Sequence, residues 1–158
     1  MSLDPHWESG TLGQMITQWK SAMPSLNPSR EQLAEFAERM PANTPILMLN
    51  LLRFNSQAAY PADSPHSPCS GQQAYARYSR VALKKVQGVG GSVEVLANAH
   101  VALIAPADEQ WDQVLLVRYP SKQAFLGMIS DPEYQAETGH RTAALADSRL
   151  IGTTPAAN

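Results

Sequence analysis

The sequence predicts an α+β domain in which helices pack on an antiparallel sheet, and three observations support that prediction. Trp111–Ile151 has the pattern of a strand, two helices and a further strand. Ile46–Leu52 and Val114–Val117 are almost entirely apolar, as is typical of strands covered on both faces. Gln72–Gln87 places apolar residues at helical spacing. With 158 residues the chain forms one domain with a sizeable core.

Residues 1–44 predict an N-terminal helical arm. Thr11–Met23 has one apolar stripe, and Thr11 with Gln14 forms a capping box. Asn27-Pro28 predicts the start of a second helix, which also carries an apolar stripe. Both stripes have to be buried, either on the same domain or on a partner chain.

Residues 45–154 predict the domain itself, and its first half begins with the strand that follows Pro45. Residues 55–71 are rich in proline and serine and predict a long loop, of the kind that is either functional or disordered in compact domains. The helix Gln72–Gln87 then ends at a glycine-rich break. A strand is predicted at Ser92–Leu96, and His100–Ala105 predicts a further short strand.

The second half of the domain begins with the strand Val114–Val117, which Pro120 ends because proline donates no hydrogen bond to a sheet. Ser121 is well placed to cap the next helix. Asp131-Pro132 predicts the start of another helix, with aspartate as the cap and proline in the first turn. Ser148–Ile151 predicts a short closing strand, and residues 155–158 form a tail.

The predicted order within the domain is the β-α-β-β-α-β plan of a ferredoxin-like sheet. This plan places the helices on one face of four antiparallel strands and leaves the other face without cover. The apolar runs indicate that both faces are nevertheless buried. We therefore expect a homodimer in which two sheets pack face to face.

Three short motifs are similar to those of a known family. Gly90-Gly91, Tyr119-Pro120-Ser121 and Asp131-Pro132-Glu133-Tyr134-Gln135 resemble the family called domain of unknown function 1330, over roughly Pro45 to Thr153. That family belongs to the dimeric α+β barrel superfamily. The resemblance implies a homodimeric barrel with a pocket in each protomer, and it carries no established activity.

Two positions depart from the pattern of that family. Many relatives carry a segment with glycine and arginine after the double glycine, where this chain has Ser92–Ala97. Arg118 also stands where an acidic residue is usual before the aromatic residue.

His140 and Arg141 are the candidate catalytic residues. In one interpretation His140 is a general acid or base and Arg141 holds a substrate carboxylate. In the other interpretation Glu137 and Arg141 form a surface ion pair four residues apart on a helix.

The candidate ligand-binding residues are polar groups near the predicted strands and helices: Asn50, Arg53, Tyr75, Arg118 and Tyr134. Asn50 interrupts an apolar strand, so its amide either bonds to a neighbouring segment or lies at the bottom of a pocket. The two arginines either form ion pairs or bind an anion. The two tyrosines are equally compatible with a core or interface position.

Composition limits the possible partners and location. A net charge of −2 provides no basic field for nucleic acid, and no apolar run approaches the length of a membrane span. No signal peptide is recognised, and the single Cys69 suits a reducing compartment, so we expect a cytoplasmic protein. The four histidines lack zinc-site spacing, and we expect neither a metal nor a cofactor.

These features together predict a homodimeric α+β barrel with a pocket for a small organic molecule. An enzyme that uses acid–base or oxygen chemistry without a cofactor is one interpretation of that pocket. A non-catalytic ligand-binding, dimerisation or interaction module is the other.

Overall fold

The computed structural model describes residues 25–157 as helices packed against one four-stranded sheet. The elements in chain order are α1 (Arg30–Arg39), β1 (Ile46–Phe54), α2 (Gly71–Gly88), β2 (Ser92–Asn98), β3 (Gln113–Tyr119), α3 (Lys122–Ile129), α4 (Pro132–Ala144) and β4 (Leu145–Thr153).

The sheet is antiparallel throughout, with strand order β2-β3-β1-β4. The first and third strands of the domain are therefore central, and the second and fourth are at the edges. This is the ferredoxin-like arrangement, and it confirms the predicted fold class.

The two faces of the sheet differ in their cover. On the inner face, Ile46, Met48 and Leu52 of β1 are buried against the helices. Residues paired across antiparallel strands lie on the same face, so Val117 of β3 and Ser148 of β4 share this side. The core therefore lies between the inner face and the helices.

Local capping interactions start α2, α3 and α4 at or within one residue of their predicted positions. Ser70 and Gln73 form a reciprocal capping box at the start of α2. Ser121 accepts a hydrogen bond from the amide of Ala124 at the start of α3. Asp131 accepts bonds from the first amides of α4, and Pro132 occupies the first turn.

Helix α1 packs against the same side of the sheet as the other helices. The ring of Phe36 lies 5.2 Å from that of Phe125, and the Lys122 ammonium donates to the carbonyls of Ala37 and Met40. The helix begins one residue after its cap, Ser29, rather than directly after the predicted Asn27-Pro28. The other predicted arm helix, at residues 11–23, lies outside the described residues.

Two strand predictions need correction. The predicted short strand at His100–Ala105 is wrong, because these residues belong to the exposed connection between β2 and β3. The closing strand is longer than the predicted Ser148–Ile151, because β4 has nine residues and pairs with β1 from Leu47 to Phe54. Burial and pairing along a central strand extend an edge strand whose own sequence is only weakly strand-like.

The outer face of the sheet is apolar, and no helix of residues 25–157 covers it. Leu47, Leu49 and Leu51 of β1 point to this face and are only partly buried. Val95 and Ile151, on the edge strands, are exposed. None of the described helices is long and apolar enough to cross a membrane.

Candidate functional site

A large cavity lies between the helices and the inner face of the sheet, and we call it the helix–sheet cavity. Its volume is about 1290 Å³. The surface of its wall is mainly apolar, and polar side chains from the helices and the sheet also line it. The residues that the following argument uses are Met48, Asn50, Tyr75, Tyr78, Tyr134 and Arg141.

Three tyrosines from two helices form one wall of the cavity. The Tyr78 and Tyr134 hydroxyls are 2.7 Å apart, and the Tyr75 ring centroid lies 5.3 Å from that of Tyr78. Burial raises the pKa of Tyr75 to about 12, although the positive charge of Arg141 partly offsets this effect. Burial also raises the pKa of Tyr78 well above its usual value, and the neighbouring phenols add to the shift. The Tyr75 and Tyr78 phenols therefore stay protonated and act as hydrogen-bonding groups.

Asn50 places an amide on the sheet side of the cavity. Its amide nitrogen lies 3.3 Å from the Met48 carbonyl and 3.4 Å from the Leu115 carbonyl, to which it donates. Asn50 faces the helices because it belongs to the same buried, every-second series of β1 residues as Met48 and Leu52. Backbone carbonyls of the two central strands therefore hold its amide.

Arg141 places a guanidinium at the edge of the cavity where residues 25–28 cross α4. Its Nη1 donates to the Leu26 carbonyl at 2.5 Å. The predicted ion pair between Glu137 and Arg141 is absent among the described residues. Glu137 lies instead 3.3 Å from Nε2 of His140.

His140 does not line the helix–sheet cavity and belongs to a second group of side chains. Its Nδ1 lies 2.6 Å from the Tyr60 hydroxyl, which comes from the long loop between β1 and α2. Arg77 donates to the same hydroxyl at 3.3 Å, and its guanidinium also contacts Ser67. We call Tyr60, Arg77, Glu137 and His140 the Tyr60 cluster.

The contacts of the Tyr60 cluster define one hydrogen-bonding arrangement. The Glu137 carboxylate at Nε2 can only accept, so in neutral imidazole the proton lies on Nε2 and the Tyr60 hydroxyl donates to Nδ1. His140 then carries its own proton on Nε2, which faces the Glu137 carboxylate. Phenol, imidazole and carboxylate are therefore connected in series, as in sites that transfer a proton.

Burial favours neutral imidazole in this cluster. Burial is the main cause that lowers the pKa of His140, and nearby His66 lowers it further. The Glu137 carboxylate raises that pKa, whereas Arg77 and Arg80 lower it. The His66 ring centroid is 4.4 Å from that of His140, so this loop residue also belongs to the surroundings of the imidazole.

The structure separates the residues that the sequence suggested. Asn50, Tyr75, Tyr134 and Arg141 line the cavity, and His140 lies in the Tyr60 cluster. Arg53 and Arg118 are exposed, and their positions in β1 and β3 place them on the outer face.

Sequence reasoning did not single out Tyr60 or Arg77. Tyr60 lies in a proline- and serine-rich loop, and Arg77 lies on the side of the helix opposite its apolar stripe. The sequence did carry a signal for the tyrosine wall, because Tyr75 and Tyr78 are three residues apart and lie on the same apolar stripe of the helix. No comparable signal pairs Tyr60 with a histidine 80 residues away. Within residues 25–157 no group of three His, Cys, Asp or Glu side chains is arranged to hold a metal ion.

The topology and the cavity define a ferredoxin-like α+β protein with a cavity between its helices and its sheet. No protein-family model and no curated protein matches the chain. Two crystal structures of RPA0582, a protein of unknown function from Rhodopseudomonas palustris, are each 38% identical to it. Their TM-scores are 0.79 and 0.78, and the matches cover 85% and 86% of this chain and 97% and 100% of theirs. The chain therefore belongs to the family of RPA0582.

A more distant similarity is found to a dimeric protein of unknown function with a ferredoxin-like fold from Bacteroides fragilis. The identity is 9% and the TM-score 0.43, with 72% of this chain and 99% of that chain covered.

Proposed function

We propose that this protein binds a small, largely apolar organic molecule in the helix–sheet cavity. The observation that carries the proposal is a mainly apolar cavity of about 1290 Å³ whose wall also carries polar groups. Ligand sites in proteins have this composition, because apolar walls supply affinity and a few polar groups supply orientation. Asn50, Arg141 and the Tyr78–Tyr134 pair are those polar groups here.

A catalytic form of this proposal rests on the Tyr60 cluster. Ala59 and Pro61, on either side of Tyr60, line the cavity, so the loop that carries the phenol also forms part of the cavity wall. A phenol connected to His140 and Glu137 is suited to move a proton by acid–base chemistry without a cofactor. Binding without catalysis remains the alternative.

The second candidate function is dimerisation or interaction with another protein, which the outer face favours. We propose that a second copy of the chain covers this face, so that two apolar sheets meet. The same surface on each copy would then be self-complementary, as in a twofold dimer. Arg53 and Arg118, which lie on this face, would approach the partner.

We also propose that the RPA0582 family is part of the dimeric α+β barrel superfamily and related to domain of unknown function 1330. The strand order supports this proposal, as does Asp131-Pro132, which starts α4 in the manner that the shared motif implies. A cytoplasmic location is proposed as well, because the only cysteine is the free Cys69.

Thermal shifts with a panel of aromatic and aliphatic compounds test the cavity. A ligand at a hundred times its Kd stabilises by about 2.7 kcal/mol, which raises Tm by about 5–10 °C for a chain of this size. Ser79→Trp, which fills part of the cavity wall, should abolish the shift, whereas Gln87→Trp on the exposed side of α2 should not. An unchanged shift in Ser79→Trp, or no shift from any compound, would overturn the proposal.

Sedimentation velocity tests the dimer. The chain mass is 17.2 kDa, so a species of twice that mass is expected for the wild type. Leu49→Glu places a charge at the centre of the outer face and should yield the monomer. Ala136→Glu adds the same charge on the exposed side of α4 and should leave the dimer intact. A wild-type monomer contradicts the proposed interface.

A further inference from the structure

The charge of the helix–sheet cavity is one-sided. Among residues 25–157, its lining contains three arginines, Arg80, Arg141 and Arg149, and no aspartate or glutamate. Arg80 is exposed to water, and Arg149 contacts the carboxylate of Asp147 at 2.9 Å. Within the described part of the chain, Arg141 is therefore the arginine of the lining that is neither fully exposed to water nor paired with a carboxylate.

The contacts of Arg141 leave most of its donors available. Within residues 25–157 no carboxylate lies within 4.0 Å of this guanidinium, because Glu137 pairs with His140 instead. The Leu26 carbonyl takes one N–H and the Tyr75 phenol is a second partner, whereas the guanidinium has five N–H groups in a planar fork. A partly buried cation without an anion is unfavourable, and a bidentate carboxylate is the partner that this fork fits best.

The phenols near Arg141 do not supply the missing negative charge. Burial raises the pKa of Tyr75 to about 12, so the phenol remains neutral at physiological pH. The Tyr78 and Tyr134 hydroxyls are hydrogen-bonded to each other, and burial raises the pKa of Tyr78 well above its usual value. Tyr75 and Tyr78 therefore offer neutral hydrogen-bonding groups near a cation that no carboxylate of residues 25–157 compensates.

We propose that the ligand of the helix–sheet cavity is an amphipathic organic acid whose carboxylate binds Arg141. Its apolar body would lie against the aromatic and aliphatic wall, in which Met48, Phe125 and Met128 take part. This inference rests on the proposed binding function and adds the chemical class of the ligand. The carboxylate would lie between α4 and residues 25–28, because the Leu26 carbonyl orients the guanidinium there.

Matched acid and amide probes test the inference by isothermal titration calorimetry. Biphenyl-4-carboxylate and biphenyl-4-carboxamide share one apolar body, and decanoate and decanamide provide a flexible pair. The wild type should bind each acid about ten- to a hundredfold more tightly than its amide, which is the range for a charge-assisted hydrogen bond. Arg141→Gln should reduce that preference to about twofold or less while amide binding persists.

Two further variants keep the test independent of a folding defect. Arg141→Lys retains the charge without the planar fork and should keep part of the preference for the acid. Arg30→Gln removes an exposed arginine that does not line the cavity and should leave the preference unchanged. Circular dichroism establishes that each variant folds.

The possible results separate the two proposals. Equal affinity of the wild type for acid and amide would refute the ligand class and leave cavity binding intact. A preference that persists in Arg141→Gln would place the carboxylate on another residue and refute the role of Arg141. Failure of all four probes to bind would overturn the ligand class together with the binding function.

Discussion

Removal of the Tyr60 hydroxyl should produce a measurable loss of stability. Tyr60→Phe deletes one oxygen that donates to His140 and accepts from Arg77. A hydrogen bond contributes about 0.5–1.5 kcal/mol net, and a buried group left without its partner costs about 1–3 kcal/mol. The His140 side chain is only 11% exposed, so water replaces the lost contact poorly. Because Arg77 keeps its contacts with Ser67, we expect a loss of about 1–3 kcal/mol near neutral pH.

The same cluster should make stability depend on pH. The pKa of His140 is lowered in the folded state, chiefly by burial, from about 6.5 in the unfolded chain. Above the unfolded pKa both states are neutral, and the contribution of the cluster is fully present. As the pH falls below that value, the unfolded chain binds a proton first, so stability decreases until the folded pKa is passed. The slope for one such group cannot exceed about 1.4 kcal/mol per pH unit.

Urea denaturation followed by circular dichroism between about pH 5 and pH 8 measures this dependence. His140→Gln should reduce the loss of stability below the unfolded pKa, and His100→Gln, which changes an exposed histidine, should retain the wild-type profile. If His140→Gln shows the wild-type profile, burial does not hold this imidazole neutral. If Tyr60→Phe is as stable as the wild type, the hydroxyl does not link the loop to the helices.

Other predictions concern the packing of the sheet and its helices, and denaturation of purified variants measures each one. Gly91→Ala should cost about 1–3 kcal/mol because the new Cβ would lie 2.8 Å from the Arg118 carbonyl oxygen. Gly127→Ala, which meets nothing within 4 Å in a helix, should instead gain about 0.5–1 kcal/mol. Leu52→Ala should cost about 2–5 kcal/mol because Leu52 is fully buried. Leu103→Ala, at 89% exposure, should cost almost nothing, and a comparable loss at both leucines would contradict the assigned core.

The candidate site was only partly accessible from the sequence. Asn50 was recognisable because an amide inside an apolar strand needs partners, and the structure provides two carbonyls for it. The spacing of Glu137 and Arg141 indicated an ion pair that the described residues do not form. Helical spacing makes residues three and four apart equally accessible, so spacing alone did not decide between His140 and Arg141 as the partner of Glu137.

The sequence by itself determined the order of the strands and helices of the ferredoxin-like plan and the starts of α3 and α4. Capping by Ser121 and Asp131 is a local interaction between a side chain and the next few amides, so it can be recognised without the fold. The two-residue period of a strand likewise assigned the residues of β1 to two faces.

The tertiary structure alone decided which groups meet. Tyr60 and His140 are 80 residues apart, and their contact depends on how a long loop crosses α2 and α4. The length of β4 and the chamber behind the sheet depend on pairing and packing between distant segments. Such contacts follow from the whole arrangement of elements, because no short stretch of residues carries the energy that establishes them.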